Sequence, residues 1–230
     1  MARYKGPNFI LELKLYPQEW HVGRLEHLFR CSEKIYNNVV YFANGQLKKM
    51  REDKDYIKIL DLYNKEKDEE KKKQYGEELS AIREKYHLTS NYFESYTNNL
   101  RNKSYKNTID SNTAQKLGLR VWKGVESCLF GKGKKVHFKK FNTLDSIEGK
   151  TNKSGIRFDK DTLVMTFYGM VIPVKIRKND YYAKEALTND ISYCRIIRRP
   201  FENGYKYFVQ IVFRGVPPIK PNRIPGVKKG

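Results

Sequence analysis

The sequence predicts an α+β fold in which an antiparallel β-barrel or sandwich is interrupted after its first strand by a bundle of helices. Apolar residues recur with a period of two in residues 9–16 and again beyond residue 155, and with a helical period in between. A single strand is not stable alone, so the first strand needs partners among the carboxy-terminal strands. The predicted organisation is a first barrel strand in residues 1–17, a helical lobe in 18–130, the remaining barrel strands in 131–216 and a proline-rich linker in 217–230.

The first strand has the sequence FILELKLY, in which every second residue is apolar. Phe9, Leu11, Leu13 and Leu15 share one face, and this alternation is typical of a half-buried strand. Pro17 ends the strand and suits the first turn of a following helix.

Four helical stretches are predicted next. Residues 18–50 carry an apolar stripe, which we expect Asn44-Gly45 to break or kink. Residues 54–85 hold nine bases and nine acids, and their polar middle indicates a solvated stretch or a turn between two helices. Two further helices are predicted at 92–103, capped by residues 89–91, and from 112 to about 130, capped by residues 110–112.

The last part of the chain predicts short strands. Residues 155–158, 162–167 and 171–176 are the first three, with a hairpin turn at 159–161. Residues 191–199 and 205–213 are two longer strands, and Asn203-Gly204 between them is a strong hairpin signal. Four prolines in residues 217–225 indicate a linker.

Charge is the strongest functional signal. The 46 Lys and Arg residues against 26 Asp and Glu give a net charge of +20, which favours nucleic acid as the partner and an anionic membrane next. No basic amphipathic helix with a clean apolar face, no apolar run long enough to span a bilayer and no secretory leader is found, so we expect no membrane partner. Cys31, Cys128 and Cys194 lie far apart without a CxxC pair, which predicts a reducing cytoplasm and no zinc site within this chain.

The cationic excess is densest in residues 129–141, LFGKGKKVHFKKF, here called the basic segment. It holds five lysines and no acid, and Gly131 and Gly133 free the backbone to approach a partner. This composition predicts a polyanion-binding site, and the alternative is a solvated surface loop. The candidate phosphate contacts in the segment are Lys132, Lys134, Lys135, Lys139 and Lys140.

A second polar stretch, residues 98–107, mixes amides, rings and cations that suit base edges and phosphates. The alternative is an ordinary helix end and loop. Its candidate contacts are Lys103, Tyr105, Lys106 and Asn107.

No catalytic or metal-binding residue is predicted. Two-metal nucleases need several converging carboxylates, whereas Asp110 is better explained as a helix cap and Asp159 and Asp161 as turn residues. The histidines show no HExxH spacing, and neither GxSxG nor a P-loop occurs.

Several blocks of the chain resemble the amino-terminal half of the TnpB proteins, which are transposon-encoded (OrfB-type) RNA-guided nucleases related to the Cas12 effectors. These blocks are FILELKLYPQEW followed by CSEKIYNNVVYF, then NTAQKLGLRVWKGVESCLFGKGKKVHFKKF, and finally NGYKYFVQIVF. They span most of residues 9–216, and their order and spacing carry the likeness. One departure is Lys139, which follows Phe138 where the family usually has a proline.

The resemblance implies a wedge-type barrel and a helical recognition lobe that together hold a guide RNA and double-stranded target DNA. It also implies a prokaryotic, nucleoid-associated protein. By this resemblance Asn112, Gln115 and Lys116 approach the target-adjacent DNA motif. We expect further phosphate contacts from the strand region, at Arg157, Lys175, Arg177, Arg195, Arg198 and Arg199.

The resemblance also implies a RuvC-like nuclease with a zinc ribbon, which would use Mg and Zn, beyond the linker. Residues 1–230 contain no counterpart of it, so we expect a fragment, a natural truncation or a nuclease-less derivative, whose nuclease half is missing or separate. In this chain we therefore expect no cofactor and no cleavage. The alternatives are a guide-independent basic RNA-binding protein and a nuclease with unrecognised carboxylates.

Overall fold

The fold was examined in a computed structural model that describes residues 6–202 and 204–219. In chain order the elements are β1 (Asn8–Lys14), α1 (Glu19–Glu52), α2 (Lys54–Lys65), α3 (Glu69–Lys85), α4 (Ser90–Ser104), α5 (Ser111–Leu129), β2 (Ser146–Glu148), β3 (Arg157–Asp159), β4 (Val164–Phe167), β5 (Met170–Pro173), α6 (Tyr181–Ala186), β6 (Ile191–Phe201) and β7 (Gly204–Arg214).

The chain divides into two units. The sheet unit consists of the described residues within Met1–Phe29 and Asp145–Gly230, and the helical unit is Arg30–Leu144. The boundaries fall inside α1 and beyond the basic segment. The first turns of α1 thus belong with the strands, and the basic segment belongs with the helices, which differs from the predicted division at residues 17 and 130.

The first strand pairs with the last one, as predicted. β1 runs antiparallel to β7 over its whole length, with Phe9 opposite Phe213 and Leu13 opposite Val209. The rings of Phe9 and Phe213 stack at 5.3 Å between centroids on the buried face. β7 also pairs with β6, and β6 with β2, so the strand order in this sheet is β1-β7-β6-β2. The Asn203 half of the predicted hairpin turn lies outside the described residues.

A second antiparallel sheet contains β3, β4 and β5. Asp159 forms the predicted turn between β3 and β4, because its carboxylate accepts hydrogen bonds from the backbone N–H groups of Asp161 and Thr162. A bridge between Leu15 and Val174 joins the end of β1 to the chain just after β5. The α+β class and the antiparallel pairing are therefore confirmed, whereas no closed barrel is found among the described strands.

The helical unit departs from the prediction at one point. α1 continues without a break through Asn44-Gly45, so the predicted break there is wrong. A glycine in a helix costs only about 1 kcal/mol relative to alanine, and the rest of a 34-residue helix outweighs that cost. The predicted turn within residues 54–85 is confirmed, because α2 ends at Lys65 and Asp68 caps α3.

The caps of α4 and α5 are also confirmed. The Thr89 hydroxyl accepts from the N–H of Tyr92, and the Asp110 carboxylate accepts from the N–H groups of Asn112 and Thr113. The two helices pack closely at Gly118, where an added Cβ would lie 2.6 Å from the carbonyl oxygen of Phe93. Among the described residues, no helix is both long and apolar enough to cross a membrane.

Candidate nucleic-acid interface

The backbone of the basic segment is held by two asparagines of α1. The Asn37 side chain donates to the carbonyl of Lys139 and accepts from its N–H, both at 2.9 Å. Asn44 makes the same pair of bonds with Val136, at 3.0 and 2.9 Å. Seven helical residues rise about 10.5 Å and three extended residues span about 10 Å. The two anchor points therefore match in spacing, with the segment running antiparallel to the helix.

Two charged residues of α1 extend this row. The carboxylate of Glu33 accepts from the N–H groups of Asn142 and Leu144, each at 3.1 Å. The guanidinium of Arg51 donates to the carbonyl oxygens of Lys134 at 2.5 Å and Cys128 at 3.3 Å. At 3.6 residues per turn, Glu33, Asn37, Asn44 and Arg51 lie within about 40° of each other around the helix axis. They form one polar row, here called the anchor row.

The anchor row fixes the backbone while leaving most of the cationic side chains outside. Val136 and Leu144 are buried and tie the segment to the helices. Lys132, Lys134, Lys135 and Lys140 are exposed, and Lys139 is half-buried. Phe138 and Phe141 are 53% and 80% exposed. The basic segment thus presents lysines and aromatic rings on a fixed backbone.

α5 supports the segment from beneath through a close approach. An added Cβ on Gly124 would lie 2.9 Å from Cγ1 of Val136, so the glycine leaves the room that Val136 occupies. Beside this contact lies a cleft of about 360 Å³, whose lining includes Tyr36, Cys128, Lys132, Lys135 and Phe138. Cys128 is 6% exposed, and burial raises the pKa of its thiol, with Arg51 opposing the shift, as expected of a small core residue.

A second cleft, of about 300 Å³, also borders the segment. Its lining includes Lys48, Arg51, Lys134 and Lys135 together with Glu52. Four of these five charged residues are cations, so the electrostatic potential here favours an anion. Both clefts are therefore bordered by the same run of lysines.

The α4–α5 turn is ordered by Arg101. Its guanidinium donates to the carbonyl oxygens of Ile109 at 2.7 Å and Lys106 at 3.0 Å. Lys103, Lys106 and Asn107 are exposed here, whereas Tyr105 is half-buried. The predicted contacts of residues 103–107 therefore lie together on a fixed turn.

The predicted contacts at the start of α5 are less accessible. Asn112, Gln115 and Lys116 are half-buried, and each makes a further interaction within the protein. Ser111 beside them donates to the side-chain oxygen of Asn98 at 2.9 Å, which ties α5 to α4. These three side chains lie in the helical unit, as do the basic segment and the α4–α5 turn.

The other six predicted contacts lie in the sheet unit. Arg157, Lys175 and Arg177 are exposed. Lys175 lies 5.2 Å from the centre of the Tyr16 ring, and Lys14 lies 5.1 Å from it. This places two cations on one exposed aromatic ring, an arrangement that suits an anion beside the ring.

Two further arginines of the sheet unit are engaged by carboxylates. Arg195 pairs with Glu148 at 2.7 Å. Arg199 makes two bonds of 2.7 Å to Glu12, and Gln210 donates to the same carboxylate. A phosphate would have to compete with these carboxylates, so both arginines are weaker candidates than the lysines of the basic segment.

Arg198 is a correction to the predicted site. It is 1% exposed, and its guanidinium donates to the Glu26 carboxylate at 3.1 Å. The guanidinium also lies over the rings of Phe29 and Tyr205, 4.5 and 4.7 Å from their centres. The Tyr207 hydroxyl donates to the same carboxylate. Burial is the larger cause that raises the pKa of Tyr207, and this hydrogen bond is the second. Arg198 belongs to the interior of the sheet unit rather than to a phosphate-binding surface.

The anchor row was not predicted as part of the site. Its residues bind backbone groups that are 77 to 111 residues further along the chain, and a local sequence pattern does not indicate such a distant partner. One signal was available, because spacings of four, seven and seven residues place four polar side chains on one face of a largely apolar helix. Phe138 and Phe141 lie inside the basic segment, but their exposure could not be read from the sequence.

The part of the chain that the structure describes contains no group of three His, Cys, Asp or Glu side chains that could hold a metal ion. Asp110 and Asp159 act as the predicted helix cap and turn residue. No protein-family model matches the sequence, and no curated protein matches it significantly.

Proposed function

We propose that this chain binds nucleic acid and acts as the guide-RNA- and target-DNA-binding half of a TnpB-like RNA-guided protein, without a cleavage activity of its own. The observation that carries the proposal is the basic segment, which holds five lysines and no acid on a backbone anchored to α1. Across the described residues, none of these five ammonium groups lies in a salt bridge.

The anchoring supports binding rather than a merely solvated loop. A loop whose lysines only face water does not need four side chains to hold its backbone, and ordering the chain costs conformational entropy. In the basic segment the folded protein has already ordered the backbone that carries the lysines. A polyanion therefore binds without a further entropy cost for ordering that backbone. The anchor row therefore favours the interface over the alternative of a solvated surface loop.

The distribution of charge within the helical unit supports the same assignment. α2 and α3 lie in residues 54–85, where acids and bases balance, whereas residues 88–144 hold eleven bases and three acids. A duplex or folded RNA carries closely spaced phosphates and prefers the second region. We propose that the α4–α5 turn and the start of α5 approach the target-adjacent motif, with Asn107, Asn112 and Gln115 as candidate contacts to base edges.

The barrel-like role of the sheet unit is also part of the proposal. The Leu15–Val174 bridge supports it by joining the two antiparallel sheets at one corner. We propose that the sheet unit is a wedge-type domain whose exposed cations, at Arg157, Lys175 and Arg177, contact the phosphate backbone.

The experiment is a filter-binding salt titration with structured RNA. In the test variant the five lysines of the basic segment become glutamine. In the matched control the same change is made at five exposed lysines within residues 54–85, which are Lys54, Lys58, Lys67, Lys71 and Lys73. Both variants lose five positive charges, so any difference in affinity between them reports where on the protein the lysines lie.

We expect the slope of log K against log salt to become shallower by about 0.7–0.9 for each phosphate contact that is lost. The test variant should lose about three such contacts and more than tenfold in affinity, and the control should lose fewer than one. A salt-independent affinity of the unmodified protein, or equal losses in the two variants, would contradict the proposal.

The guided nature of the binding needs a second measurement, which is sequencing of the RNA that copurifies with the chain. One defined species that ends at a transposon boundary is the result expected of a TnpB-like protein. Bulk ribosomal RNA would instead favour the guide-independent RNA-binding protein.

A further inference from the structure

We propose that the basic segment binds single-stranded nucleic acid, with bases stacked on the rings of Phe138 and Phe141 and phosphates held by the lysines around them. This inference rests on the proposed function and deepens it by naming the form of the ligand. It concerns only the helical unit, to which the segment belongs.

The exposure of the two rings is the first observation. Val136 and Leu144 are 5% and 0% exposed, so apolar residues of this stretch can reach the interior. Phe138 and Phe141 nevertheless project outward, at 53% and 80% exposure. Leaving a phenylalanine in water forgoes about 1.5–3 kcal/mol of burial free energy. Each of these exposed rings offers an apolar face suited to a flat apolar partner.

The fixed backbone is the second observation. Phe138 lies between two anchored positions of the segment, Val136 and Lys139. The backbone of each makes two hydrogen bonds to an asparagine of α1. Phe141 is followed by Asn142, whose N–H is bound by Glu33. Each ring is thus carried next to an anchored backbone position, so stacking on it costs little additional chain entropy.

The order of side chains along the segment is the third observation. Lys139 and Lys140 lie between the two rings, and Lys132, Lys134 and Lys135 precede them. Bases stacked on the two rings would therefore bring the phosphates between them close to the intervening lysines. Rings interleaved with cations are the arrangement by which proteins bind single strands without reading sequence.

The rings also decide between a single strand and a duplex. Lysines bind the phosphates of either form, but the faces of paired bases are hidden by stacking inside a duplex. A ring gains its stacking energy only from an unstacked base. The segment should therefore prefer unpaired nucleotides, whether RNA or DNA.

The test uses the full chain and three fluorescent probes, which are a 12-nucleotide RNA, a DNA of the same sequence and a 12-base-pair duplex. Phe138→Ala combined with Phe141→Ala is compared with Tyr41→Ala, because Tyr41 is an aromatic residue on α1 that is 76% exposed outside the segment. Phe138→Trp combined with Phe141→Trp keeps the rings. Circular dichroism verifies that each variant is folded, as we expect for exposed positions.

Stacking is worth about 1–3 kcal/mol per base, so the double alanine variant should bind either single strand at least tenfold more weakly. Its affinity for the duplex should change less than threefold. The tryptophan variant and Tyr41→Ala should keep the affinity of the unmodified protein for single strands.

Three results would overturn the inference. If the double alanine variant keeps its single-strand affinity while replacement of the five lysines abolishes it, stacking is wrong and the proposed function stands. If the alanine variant loses affinity for single strands and duplex equally, the rings do not select unpaired bases. Binding that neither the alanine nor the lysine variant weakens would overturn both the inference and the proposed function.

Discussion

The side-chain amide of Asn37 and the backbone of Lys139 form two hydrogen bonds of 2.9 Å, across 102 residues of sequence. One amide thereby satisfies both the donor and the acceptor of an otherwise irregular chain. Asn44 repeats the arrangement at Val136. Through these pairs the asparagine side chains of α1 satisfy backbone groups of the basic segment that a neighbouring strand would satisfy in a sheet.

Removal of the Asn37 amide should loosen the segment. Asn37→Ala leaves the N–H and the carbonyl of Lys139 without their partner, and an unsatisfied buried group costs about 1–3 kcal/mol. Hydrogen exchange at the Lys139 amide should accelerate about tenfold or more, and nucleic-acid affinity should fall with it. Asn38→Ala is the matched control, since Asn38 is exposed on the same helix. Unchanged exchange at Lys139 would show that the anchor does not hold the segment.

The α4–α5 contact should tolerate no larger residue at Gly118. An alanine Cβ would lie 2.6 Å from the Phe93 carbonyl oxygen, so the helices must separate. We expect Gly118→Ala to destabilise the chain by about 1–3 kcal/mol, measured by urea unfolding. Gly45→Ala provides the contrast, because nothing lies within 4 Å of a Cβ at that position of α1. It should be neutral or stabilising by up to about 1 kcal/mol. A neutral Gly118→Ala would contradict the close packing of the two helices.

Arg198 should matter for stability rather than for binding. Arg198→Ala leaves the Glu26 carboxylate beside Tyr207 without its cation, and breaking a buried ion pair costs about 3–5 kcal/mol. Arg199→Ala breaks an exposed pair with Glu12 and should cost less than about 1 kcal/mol. Thermal unfolding distinguishes them. Should Arg198→Ala retain full stability and lose nucleic-acid affinity instead, the residue would return to the binding surface.

The start of α2 and the end of α3 should be joined in a pH-dependent way. The Asp53 carboxylate accepts from the Tyr86 hydroxyl at 2.6 Å and from Lys85 at 2.9 Å, and these bonds hold the pKa of Asp53 well below its usual range. Because the pKa of Asp53 is lower in the folded state, the ionised carboxylate stabilises the fold at pH values above about 4, the ordinary pKa of an aspartate. This stabilisation is lost as the pH falls below that value.

The corresponding variant is Tyr86→Phe, which removes the largest cause of the shift. Its melting temperature should lie below that of the unmodified protein at pH 7, and the difference should shrink as the pH falls below about 4. Tyr41→Phe, at an exposed position, serves as the control. A difference that is constant from pH 7 to pH 3 would exclude ionised Asp53 as its source.

Local patterns predicted the elements that depend on local chemistry. Alternation located β1 and its buried face, and Thr89 and Asp110 marked the starts of α4 and α5. The pairing of β1 with β7 followed because a lone strand requires a partner. The three-residue strand β2 and the six-residue helix α6 were missed, since such short elements carry too little periodicity to detect.

Long-range side-chain partners could not be predicted in the same way. Arg198 and Arg199 are sequence neighbours of the same type, yet Arg198 ends a run of buried residues in β6 and Arg199 begins an exposed one. The sequence does not show that Glu26 pairs with Arg198 in the interior of the sheet unit. Nor does it show that Asn37 and Asn44 bind backbone groups about a hundred residues away. These partners decide which cations face the solvent.

The central claim is that the basic segment contacts nucleic acid, and cross-linking tests it most directly. The chain is irradiated with its copurified RNA, digested, and the cross-linked peptides are identified by mass spectrometry. We predict that cross-links concentrate in residues 129–141, with Phe138 and Phe141 among the modified positions, and that α2 and α3 yield few. Cross-links spread evenly over the lysines of both regions, or absent from residues 129–141, would contradict it.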